Sequence, residues 1–241
     1  MSKWQRRFST ENVRQSTRQV SKLASGNSLI VFDIIIKQAK QYDNQIESLN
    51  QSMANCNELS LDIFAYTLLR HISDAKDVNM YQDSEVPPWL TNIAQFAAIF
   101  FKKYNKVEIE PLFTYLLNKM RFDGEINYMI ILREVVASMF GWNMFNVDEM
   151  TPQQLQSLAG GFVLRLELMS QTSQFKKRSK SSTSLMDLFW KRTNHSSVSL
   201  AVSLMANIAK LSFNVLQNSK EEETPMNIVT HLYDRIHFIF L

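Results

Sequence analysis

Apolar residues recur along this chain at separations of three and four. Leu61, Phe64, Ala65, Leu68, Leu69 and Ile72 form one such stripe, and Ile93, Phe96, Ala97, Phe100 and Phe101 form another. That spacing places them on one side of a helix and leaves polar residues on the other. Ser9 or Thr10 is placed to cap a first helix that runs to about residue 25, with Val13, Val20 and Leu23 as a thin apolar stripe. Further helices are predicted over 29–42, from 43 or 44 through Met53, and from a Ser60 cap through Ile72. The remainder are read at 89–104, 111–122, 126–140, 152–158, 162–169, 185–192, 198–216 and 225–241. The β-branched run 30–36 fits a buried strand equally well by pattern alone. Helix is preferred because Lys37-Gln-Ala-Lys-Gln41 continues it without a turn signal and no second strand-like run lies nearby.

Punctuation supports the same reading. Gly26, Gly124 and Gly141 follow apolar-periodic runs, where a left-handed residue closes a helix, and Pro88, Pro111, Pro152 and Pro225 precede them, at first-turn positions. The chain therefore reads as all-α: an irregular HEAT-like helical solenoid of about eleven helices joined by short links. Residues 1–171 form a helical solenoid segment, 172–184 a basic Ser/Lys-rich linker, and 185–241 a helical segment that continues the solenoid. The end on Phe238-Ile-Phe-Leu241 reads as a cut through a helix.

Charge changes the picture in two places. Residues 1–25 and residues 174–192 each carry six basic groups and one acidic group, against a net charge of +3 for the whole chain. The candidate polyanion contacts are Arg14, Arg18 and Lys22, which fall four apart on one helix face, and Lys176, Lys177, Arg178 and Lys180. The run 175–180 reads either as a solvated linker or as a phosphate contact or nuclear-import signal. Cys56 is the sole cysteine, which excludes an internal disulfide and suits a reducing compartment. No unbroken apolar run reaches the ~18 residues of a membrane span.

Chemistry is not indicated. His71, His195, His231 and His237 make no i, i+4 pair with one another or with Cys56, so packing or surface roles are expected and no metal. Cys56 reads as a half-buried, inert thiol. No Gly-rich phosphate loop and no Gly-x-Ser-x-Gly elbow occurs, and no apolar-flanked acid pair is present. No catalytic residue, cofactor or small-molecule substrate is expected, and Phe100, Phe101, Phe113, Tyr115, Trp142 and Phe145 read as core.

Seven segments together carry a resemblance: 17–27, 41–44, 62–69, 89–96, 131–139, 149–161 and 231–235. They include Thr17-Arg-Gln-Val-Ser-Lys-Leu-Ala-Ser-Gly-Asn27 and Ile131-Leu-Arg-Glu-Val-Val-Ala-Ser-Met139. In this order and spacing they resemble the central region of the THO complex subunit 2 family, the large scaffold subunits of the THO/TREX assembly. The resemblance implies a nuclear α-helical solenoid that organises other THO complex subunits and docks a DEAD-box RNA helicase. The implied process is transcription-coupled mRNP assembly and mRNA export, with mRNA contacted indirectly or weakly, no membrane partner, and ATP hydrolysis left to the helicase. From residue physics alone, a helical adaptor of another large assembly, of the vesicle-coat or proteasome-lid type, fits equally; a helical enzyme would need a convergent polar pocket. The apolar surplus at 162–168 and 238–241 is expected to promote self-association of the chain expressed alone.

Overall fold

The computed structural model describes residues 13–74, 86–124, 126–140, 180–191, 198–221 and 226–240. Among these residues every regular element is helical and none is a β-strand. The α-helices are α1 (Val13–Gln41), α2 (Ile46–Ser52), α3 (Glu58–Ser73), α4 (Pro88–Lys103) and α5 (Glu110–Asn118), then α6 (Met129–Phe140), α7 (Lys180–Trp190), α8 (Leu200–Glu221) and α9 (Met226–Phe240). The all-α expectation holds, and the run 30–36 is helical within α1.

Packing follows chain order closely. α1 lies against α2, α3 and α4; α4 lies against α6; α7 contacts α4, α6 and α8; α8 pairs with α9. The two apolar stripes read from sequence meet at the centre. Phe32 of α1 stands edge-on to Phe64 of α3 with ring centroids 5.4 Å apart, and Phe64 in turn meets Phe96 at 5.5 Å and Phe100 at 4.4 Å. All four rings are wholly buried. Such ring pairs contribute roughly 0.5–1.5 kcal/mol beyond area burial. Asn50 adds a polar tie: its side-chain NH2 donates to the Phe96 carbonyl of α4 at 3.4 Å, and its backbone carbonyl accepts from the Tyr104 hydroxyl at 2.7 Å.

Several boundaries differ from the sequence reading. The stop expected at Gly26 is found one residue later: α1 is two helices that meet across a kink at Asn27 (φ −149°, ψ 67°), the first running through Gly26. Gly124 alone among the described glycines takes the left-handed conformation, at φ 68°. Gly141 lies outside the described residues. The cap of α3 is Asn57, whose side chain accepts from the Ser60 N–H at 2.8 Å, so Ser60 is a donor inside the first turn and not the cap. The helix that opens at Pro111 stays α-helical only to Asn118 and then widens into a π-helical turn, Lys119–Asp123, which Gly124 ends. α6 begins at Met129, after a bend at Ile126 and a turn at Asn127 and Tyr128. α7 begins at Lys180, not Leu185, because Ser181 is buried and its hydroxyl donates to the Met139 carbonyl at 3.4 Å. The buried stripe of α1 near its start is Thr17, Val20 and Ala24, whereas Leu23 faces out. The helices expected at 152–158 and 162–169, the aromatics Trp142 and Phe145, and the side chains of 238–241 lie outside the described residues.

One expectation about membranes also changes. α8 over Leu200–Gln217 is long and apolar enough, by length and composition, to cross a bilayer. Counting only unbroken apolar runs missed it, since Ser203, Asn207 and Lys210 interrupt a segment whose average is nonetheless apolar. Its Leu200, Leu204, Ile208, Leu211 and Val215 lie in the protein's own core.

Candidate functional site

The first basic cluster is an exposed ridge. Thr17, Val20 and Ala24 turn inward, where the Ser21 hydroxyl donates to the Asn55 carbonyl at 2.8 Å and fastens α1 to the turn after α2. With that side fixed, Arg14, Arg18 and Lys22 all face outward and are exposed. Their spacing steps ~6 Å along the axis per residue pair while rotating only about 40°. None of the three forms an ion pair among the described residues.

Lys180, exposed at the start of α7, is the one member of the second cluster among the described residues; Lys176, Lys177 and Arg178 lie outside them. The two clusters sit on helices with different neighbours. α1 packs on α2, α3 and α4, and α7 packs on α4, α6 and α8.

A polar cluster that the sequence reading did not assemble joins α1, α3 and α4. Asp33 accepts from Lys37 at 2.8 Å and pairs with His71 Nε2 at 2.9 Å. Lys40 donates to the His71 carbonyl at 3.2 Å and sits 5.2 Å above the Trp89 ring. Burial, then the nearby Lys40 charge, pushes the His71 pKa below its ordinary value, despite Asp33. For Asp33, burial acts to raise the pKa, but the hydrogen bonds from Lys37 and His71 outweigh it and the carboxyl is held low. The sequence did contain a signal: an aspartate inside an apolar run with a lysine four residues later. The cluster ties α1, α3 and α4 together.

Cys56 is half-buried, and burial pushes its thiol up to about 11, as an inert thiol requires. His231 is exposed. Among the described residues no group of three His, Cys, Asp or Glu side chains converges on a metal position. A shallow groove of 510 Å³ is lined by Glu108, Glu110, Pro111, Thr114, Tyr115 and Asn118. Its Glu110 is already paired with Lys191 at 2.8 Å, which pins the end of α7 to α5.

Residues 20–94 match the family model described as a transcription- and export-related complex subunit. That span holds the Phe32–Phe64 contact, Asn50 and the start of α4, while Phe96, Phe100 and Tyr104 lie beyond it. The chain is 30% identical over 233 residues to THO complex subunit 2 of Homo sapiens, and equally to that of Rhinolophus ferrumequinum. The chain is homologous to a segment of THO complex subunit 2. The alignment takes in 96% of this chain but 14% of the human protein. THO complex subunit 2 of Arabidopsis thaliana is 28% identical over 239 residues, covering 98% of this chain and 13% of the plant protein. The similarity to THO complex subunit 2 thus extends past residue 94 and takes in α5 to α9 as well as the aromatic centre.

Proposed function

We propose that the chain is a scaffold segment of the THO complex, a stack of helix pairs that holds other THO subunits. The observation that carries this reading is sequence similarity over nearly the whole chain to THO complex subunit 2, from bats to plants. Packing between helices near in sequence supports it, because such stacks build long contact faces progressively. In this reading the segment works in the nucleus, docks a DEAD-box RNA helicase, and supports transcription-coupled mRNP assembly and mRNA export. It has no catalytic centre of its own. Arg14, Arg18 and Lys22 on α1, with the cluster at 176–180, serve as polar contact sites, and mRNA is touched weakly or through partners.

The helicase element is tested by binding. Purified chain immobilised on beads is mixed with the purified DEAD-box helicase of the same organism. Retention that survives physiological salt is expected. Free passage of the helicase, with the chain folded by circular dichroism, removes helicase docking from the proposal.

A further inference from the structure

We infer that the outer face of α8 is a self-association surface, on which a second copy of this chain lies antiparallel. α8 runs as one helix from Leu200 to Glu221. Its Leu200, Leu204, Ile208, Leu211 and Val215 face the core. On the other side of the axis stand Val202, Met205, Phe213 and Leu216, each between 43% and 65% exposed. With Ala209, also exposed, they fall within about 80° of arc, so they form one stripe roughly 21 Å long.

The order of residues in the stripe selects the occupant. Ala209 stands at the centre, Met205 and Phe213 lie four residues to either side of it, and Val202 and Leu216 lie seven. A two-fold axis demands a surface complementary to itself, and this order provides one. In an antiparallel pair with its axis at Ala209, Ala209 meets the partner's Ala209, Met205 meets the partner's Phe213, and Val202 meets the partner's Leu216. The small residues Ala206, Ala209 and Ser212 let the two backbones approach closely, and the Met205 thioether reaches an aromatic edge. The Ser212 hydroxyl already donates to the Ala209 carbonyl at 2.8 Å, so covering it strands no donor.

Charge and area agree with that choice. From residue 200 through residue 217 the sole charge is Lys210, one residue past the centre and therefore about 100° off it, on the flank. The stripe itself offers nothing to a polyanion or an acidic peptide. A bilayer would need every side of α8, and five of its apolar residues already lie in the protein's own core. Two four-turn helix faces laid together bury about 1,200 Å² in total, where stable interfaces begin, so a dissociation constant in the micromolar range is expected. The inference goes beyond the scaffold reading and does not depend on it.

The test uses the intact 241-residue chain and no THO subunit, so its failure leaves the proposed assembly untouched. Sedimentation velocity from about 1 to 100 µM is expected to show a monomer–dimer equilibrium that added salt does not weaken. Met205→Glu/Phe213→Glu should raise the dissociation constant at least about tenfold, with circular dichroism unchanged because both side chains are exposed. Association through 162–168 or 238–241 would survive that change. The pairing register is read by oxidation in a Cys56→Ala background (Cys56→Ser where the alanine disturbs the fold). Ala209→Cys is expected to give a disulfide-linked dimer. Val202→Cys is not, because its two copies lie roughly 21 Å apart in the antiparallel pair, beyond the reach of a disulfide. A monomer throughout the range overturns the inference. So does a dimer indifferent to Met205→Glu/Phe213→Glu, or one that links through Val202→Cys as readily as through Ala209→Cys. A monomer that floats with phosphatidylcholine vesicles, and no longer does so in Met205→Glu/Phe213→Glu, assigns the face to lipid instead.

Discussion

Phe64 is the residue on which the centre of the fold turns. It touches the rings of Phe32, Phe96 and Phe100, which belong to α1 and α4, so it joins both helices to α3. Truncation removes its buried surface and leaves a cavity that rigid helices close only in part. Phe64→Ala should lower the unfolding free energy by about 3–5 kcal/mol, read from urea titration. A loss below ~1 kcal/mol would show that the site collapses freely and that the ring cluster is not the centre. His71 gives the fold a pH dependence whose sign follows from its lowered pKa. The unfolded chain takes up this proton near its ordinary value of 6.5 while the native state resists it, so the contribution is complete above that value and is lost as pH falls below it. Asp33, also held below its ordinary value, adds a second loss at more acidic pH. Unfolding free energies measured between pH 7 and pH 5 should therefore fall in the native sequence, and the slope should flatten in His71→Gln. An identical slope in both would place the titration elsewhere.

α8 shows how far the local pattern speaks for an element and where it stops. Leu200, Leu204, Ile208, Leu211 and Val215 make the buried stripe that helical spacing predicts. A second apolar set, Val202, Met205, Phe213 and Leu216, is exposed, Phe213 to 65%. Periodicity reports that the residues lie on a helix but not which of two apolar sides meets the core. Leu211→Ala should cost about 2–5 kcal/mol, whereas Met205→Gln and Phe213→Gln should change stability by no more than about 0.5 kcal/mol while raising solubility. Equal losses from both kinds of substitution, measured by thermal unfolding, would show that the outer set is also packed. The stop and restart spelled by Gly26, Asn27 and Ser28 is met by a kink at Asn27, on both sides of which α1 packs into one core through Val20, Ala24, Val31 and Phe32. The same limit explains the boundary that was missed. Lys180-Ser-Ser-Thr-Ser184 has linker composition, yet it is helical with Ser181 buried and its hydroxyl donating to the Met139 carbonyl of α6, a long-range contact that no local pattern announces. Asp33 and His71 lie on different helices, so no sequence spacing could pair them. What lay open in the sequence was what short-range periodicity and end signals determine: helical class, core aromatics and the cationic ridge of α1.

At the scale of the molecule, these helices form a continuous core that runs from α1 to α9 among the described residues. The proposed scaffold role would be carried by the faces of this body, and the similarity to THO complex subunit 2 says where to look for partners. The chain spans 14% of the human relative, so its partners are a matter for direct capture. Affinity purification of the tagged full-length gene product from its own cells, followed by mass spectrometry, tests the scaffold assignment most directly. The other THO complex subunits should be recovered in near-stoichiometric amounts and remain after nuclease treatment. Recovery of vesicle-coat or proteasome-lid subunits in their place, or of no THO subunit at all, would contradict it.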